Sequence, residues 1–160
     1  MARTATTGFF FRRTLYGLEH PGLQSYVIGN SATIKIGDAV RINTAGFLVR
    51  AAAGEAIAGV VDGLTDRNGI NVFSPRASGV TGTTLTPDDT IAVSATNQSD
   101  ATRELRAQVI IDPAGICLFY NDADTDLAAT NRYQFSDSNA GGNQIVLSAS
   151  DSAAQWQLMV

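Results

Sequence analysis

The chain has 160 residues, 44% hydrophobic and 16% charged, which excludes a disordered or coiled-coil protein and leaves room for a buried core in one domain or two very small ones. No apolar run approaches the roughly 18 residues of a bilayer-spanning helix, so no membrane partner is expected. The net charge of −4 argues against general nucleic-acid affinity, which depends on Lys and Arg neutralising phosphates.

Residues 1–30 read as an extended arm. Small polar residues come first, then Phe9-Phe10-Phe11-Arg12-Arg13, whose arginines interrupt what would have to be the apolar core of a signal peptide. Tyr16, His20-Pro21-Gly22 and a possible strand over Gln24–Ile28 follow. Three adjacent phenylalanines cannot share one face of a strand, and aromatic with arginine side chains is the usual composition of interface anchors. Two readings stand: Phe9, Phe10, Phe11, Arg12, Arg13 and Tyr16 contact a partner, or the phenylalanines fold back on the chain's own barrel.

Ser31–Gly63 carries the most regular pattern and opens a small β-barrel or meander over residues 31–86. Thr33–Ile36 alternates, Gly37-Asp38 turns the chain into Ala39–Asn43, and Thr44-Ala45-Gly46 turns it into Phe47–Arg50, with Ala56–Asp62 next. This predicts a meander of short antiparallel strands. Asp66-Arg67-Asn68-Gly69 predicts a tight primed turn joining Val60–Leu64 to Ile70–Phe73. Ser74–Asp89, dense in Gly, Ser, Thr and Pro, predicts a long loop with a seam near residue 86.

Residues 87–160 form a second β-rich half, separate or continuous with the first. Ile91–Ser94 is a short strand and Asn97–Thr102 a polar turn. Leu105–Ile111 is a stronger strand, expected to pair as a hairpin with Ile116–Tyr120 across Asp112-Pro113-Ala114-Gly115. Tyr133–Phe135, Gln144–Ser148 and the terminal Trp156–Val160 are further strands, and helix is limited to a turn near Asp124–Thr130 or Ser150–Ala154. Charge divides along the chain: residues 1–86 hold eight basic and five acidic side chains, +3, and residues 87–160 hold three and ten, −7. Lys35 is the only lysine, and arginine suits fixed bidentate contacts better.

Catalytic material is scarce. His20 is the only histidine and Cys117 the only cysteine, so neither a nucleophile–histidine pair nor a four-ligand zinc site assembles from the sequence, and Cys117 reads as a small hydrophobe in a buried strand. The glycines of Gly79–Thr84 lack the lysine of a phosphate loop. Asp122, Asp124 and Asp126 alternate in a manner that can converge on calcium, but Leu127 stands where a calcium loop needs glycine and Tyr133 where it needs glutamate. A solvated turn is the alternative, and no enzyme activity, metal or cofactor is expected.

The order of features resembles the head-decoration, or cement, proteins of tailed bacteriophages, particularly marine phages. The resemblance runs through Arg13-Thr14-Leu15-Tyr16-Gly17, His20-Pro21, Asn30–Ile34, Gly37-Asp38-Ala39-Val40, Gly46-Phe47, Ala53-Gly54-Glu55 and Gly59–Gly63, then Asp124–Leu127, Asn139–Asn143, Val146-Leu147 and Trp156–Val160. It implies an all-β fold, a small antiparallel β-barrel of the β-tulip type with an extended N-terminal arm. It also implies a non-enzymatic virion protein, commonly a homotrimer, that binds the outside of the mature head and clamps neighbouring major capsid subunits. Another virion subunit, such as a tail tube or fibre base, and a sugar- or cell-surface-binding β-module are the alternatives.

Overall fold

Every regular element among the described residues is a strand. The computed structural model describes residues 8–14, 22–52, 54–72, 90–100, 102, 104–111, 117–120, 135–138, 145–146 and 156–157. The strands are β1 (Phe10–Thr14), β2 (Leu23–Val27), β3 (Thr33–Ile34), β4 (Ala39–Ile42), β5 (Leu48–Arg50), β6 (Gly59–Asp66), β7 (Ile91–Ala92), β8 (Leu105–Ile111), β9 (Cys117–Tyr120), β10 (Phe135–Ser138), β11 (Ile145–Val146) and β12 (Trp156–Gln157). The protein is all-β, and its strand ladders are antiparallel.

The central sheet runs β2-β8-β6-β4-β5. β8 is its best-patterned strand: Leu105, Ala107 and Val109 are buried on one face, as their alternation predicts, and Ile110 is buried on the other. The expected hairpin between β8 and β9 does not form. A strand has two hydrogen-bonding edges, and β2 and β6 take both edges of β8, so β9 pairs with β1 instead. The predicted meander is also rearranged. β4 pairs with β5 and β6, whereas β3 leaves the sheet to pair with β7, Thr33 opposite Ala92.

Two hairpin loops share one hydrogen-bonding plan. Asn43 accepts from the Ala45 and Phe47 amides through Oδ1, both at 3.0 Å, while its backbone amide donates to the Phe47 carbonyl and its carbonyl accepts from Gly46. Asp66 repeats every one of these bonds with Asn68, Ile70 and Gly69. Gly46 and Gly69 hold φ of +85° and +79°. Asn68 has no positive φ, so the second loop is not the two-residue primed turn that Asn-Gly suggests. The Asp66 carboxylate organises a longer loop in which only Gly69 turns left-handed.

One core cluster fills the concave face of the sheet: Ile28, Ile34, Val40, Leu48, Val61, Leu64, Val72, Ile91, Val93, Leu105, Ala107 and Val109. A smaller cluster lies on the opposite face of β4 and β6, where Phe9 covers Ala39, Ala51 and Val60. The sheet rolls until its two ends meet at one parallel bridge, Ile28 to Leu48, with the Gly29 amide donating to the Leu48 carbonyl at 2.8 Å. Among the described residues it is the only bridge between the two ends, so the roll stops short of a barrel closed by a continuous ladder. β10 pairs with both β11 and the terminal β12 in a separate three-stranded sheet. The Ser74–Asp89 loop and both candidate helical turns lie outside the described residues.

Candidate functional site

Phe9 is where the N-terminal aromatic run enters the fold. It is 2% exposed, and its niche exists because Ala39 and Ala51 are small where β4 and β5 pass beneath it. The backbone approach is equally close: the Phe9 amide donates to the Gly37 carbonyl at 2.7 Å, and a Cβ on Gly37 would lie 3.1 Å from the Gly8 Cα. β1 then pairs with β9, and Phe11 meets Phe119 edge to face at 6.1 Å. Phe10 and Phe11 are half-buried and Thr14 is buried. Residues 8–14 and 22–28, read from sequence as parts of an arm, are thus paired and packed against the rest of the chain.

A bulge falls within the arginine pair of this run. Phe11 pairs with Phe119 and Arg13 with Leu118, leaving Arg12 as the extra residue. Strict alternation would send consecutive side chains to opposite faces. The bulge breaks that alternation, and Arg12 and Arg13 are both exposed. Two exposed arginines thus follow two half-buried phenylalanines on a paired strand, an interface composition in which arginine suits carboxylate-bearing partners. Tyr16 lies outside the described residues, as do Asp122, Asp124 and Asp126. Among the described residues no cluster of three metal-ligating side chains occurs. Cys117 is half-buried on β9 opposite Thr14, more open than the buried strand position its neighbours suggest.

Behind this surface sits a buried ion pair that the sequence reading does not single out. Asp38 is fully buried in the Lys35–Asp38 turn, and its Oδ2 accepts from the Lys35 amide and from Arg50 Nε, both at 2.9 Å, with Arg50 Nη2 at 2.8 Å. Its Oδ1 has no hydrogen-bond partner among the described residues. Burial raises the Asp38 pKa, and the Arg50 charge and the hydrogen bonds offset only part of that rise. Nearby, Glu55 Oε2 accepts from the Ala52 amide at 2.8 Å and from Arg41 Nε at 2.7 Å, and these bonds lower its pKa. The one visible signal for the Asp38 pair was an aspartate in an apolar stretch with an arginine one hairpin later.

Asn97 is a further buried polar centre. Its Nδ2 donates to the carbonyls of Ile28 at 2.7 Å and Leu105 at 3.2 Å, and its Oδ1 accepts from the Leu105 amide at 2.8 Å. It therefore ties the end of β2 to the start of β8. No protein-family model matches the chain, and neither the curated proteins nor the solved structures include a significant match to it.

Proposed function

We propose that the protein is a non-enzymatic decoration protein of a tailed-phage head. It binds the outer surface of the mature shell in groups of three and bridges neighbouring major capsid subunits. The observation that carries the reading beyond the sequence resemblance is the bulged β1–β9 ribbon, which presents Arg12 and Arg13 together on a strand pair anchored by Phe9. An anchored ribbon loses little conformational freedom on docking, so its contact energy is not spent on ordering a loose arm. A protein that binds the assembled shell better than free subunits stabilises the shell by mass action.

The test uses heads produced without this protein. Added chain co-sediments with them saturably and raises the temperature at which the shell melts, and the double variant Arg12→Ala, Arg13→Ala weakens both effects. Failure of the wild-type chain to bind expanded heads overturns the proposal. Rings or filaments of the purified protein, in place of isolated small oligomers, favour a tail subunit.

A further inference from the structure

Among the described residues no strand pairs with the outer edge of β2. β2 ends the sheet order, and Leu23, Gln24 and Ser25 are exposed, with Leu23 at 53%. Natural edge strands are protected by charged residues, proline or a bulge. Residues 22–29, Gly-Leu-Gln-Ser-Tyr-Val-Ile-Gly, contain no Lys, Arg, Asp, Glu or Pro, and the pairing of β2 with β8 runs without a register shift. The one bridge to β5 among the described residues is made beyond β2, at Ile28 and Gly29, and it does not extend along Leu23–Val27.

The direction of the free groups follows from the ladder. Ile28 donates to Leu105 and Ile111 donates to Gly22, so the even-numbered residues of β2 point their backbone groups at β8. Leu23, Ser25 and Val27 therefore point theirs outward. We propose that this edge pairs with the same edge of a second copy of the chain, antiparallel about a two-fold axis at Ser25. The occupant is a second copy because the segment is complementary to itself. This register sets Ser25 opposite Ser25, Leu23 opposite Val27 and Val27 opposite Leu23. All three pairs are of the kind that exchanges both backbone hydrogen bonds, and shifting the register by two residues loses one pair.

Side chains agree with the backbone. Tyr26 and Ile28 pack on the main core, so by alternation Leu23, Ser25 and Val27 share the other face of the strand. Pairing places exposed Leu23 against half-buried Val27 on both sides of the axis, and no like charges meet. The contact is isologous, so it joins two copies or, where threefold association also occurs, two trimers.

Sedimentation velocity of the full chain over a dilution series tests this. The wild type populates an even-numbered species, and Ser25→Pro halves its mass; the Ser25 amide points outward, so proline removes no bond to β8 and the strand's circular dichroism is retained. In a Cys117→Ser background, Ser25→Cys forms a disulfide-linked dimer under mild oxidation and Gln24→Cys does not, because only residue 25 faces its own copy at about 5.5 Å between Cα atoms. A monomer or a trimer at every concentration overturns the proposal, leaving a strand of a different protein as the occupant. So does Ser25→Pro at the wild-type mass.

Discussion

Asn97 and Asp38 are both buried polar residues, and they differ in how completely they are satisfied. Asn97 uses both its donors and its acceptor on the backbone of residues 28 and 105. Asn97→Ala strands those buried groups and is expected to cost about 1–3 kcal/mol in chemical denaturation. Asn97→Asp is expected to cost more, since a carboxylate cannot donate to the two carbonyls. Asp38 gives a pH signature instead. Its folded pKa lies above its unfolded value of 3.8, so its contribution is fully present below 3.8 and is lost as pH rises through the folded pKa. Glu55 has the opposite sign: its folded pKa lies below 4.5, so its contribution is present above 4.5 and is lost as pH falls through the folded value. Between acid and neutral pH, wild type therefore loses stability relative to Asp38→Asn and gains it relative to Glu55→Gln. Difference curves from denaturation at a series of pH values check both signs, and slopes of the same sign would contradict the account.

At the scale of elements, local pattern was legible, and partnership only where a short loop joins two strands, as between β4 and β5. The alternation of Leu105, Ala107 and Val109 marks β8, and Asn43 to Gly46 and Asp66 to Gly69 mark hairpin loops, because each signal lies within a few residues. Which strand β8 pairs with depends on competition for its two edges. That contest is decided by residues 39 or more positions away, so proximity in sequence misassigned β9. Arg12 and Arg13 were legible as a surface pair by composition, whereas the bulge that exposes both is a property of pairing with β9. Two glycines separate local from tertiary constraint. A Cβ on Gly59 would lie 2.6 Å from Val109 Cγ1 and closer still to the Ile110 carbonyl, so Gly59→Ala must push β6 off β8, at about 1–3 kcal/mol or more. Gly69 has open space around it but a φ of +79°, so Gly69→Ala costs only the left-handed strain of about 1–2 kcal/mol. Thermal denaturation of both variants checks that order.

For the whole molecule, the two faces of the central sheet have separate roles. The concave face holds the main core, and the opposite face holds Phe9 and through it the β1–β9 ribbon. Phe9→Ala is expected to cost about 3–5 kcal/mol by cavity formation and to weaken head binding by loosening the ribbon. Arg13→Ala, at an exposed position, is expected to weaken binding with stability unchanged within about 0.5 kcal/mol. That separation distinguishes an anchored docking surface from a merely structural N-terminus. Cryo-electron microscopy of the parent particle tests the central claim most directly. The account predicts density for this chain on the outside of the expanded shell, with the β1–β9 ribbon and its two arginines against acidic groups of the major capsid protein. Density confined to the tail, or a ribbon turned away from the shell, would contradict it.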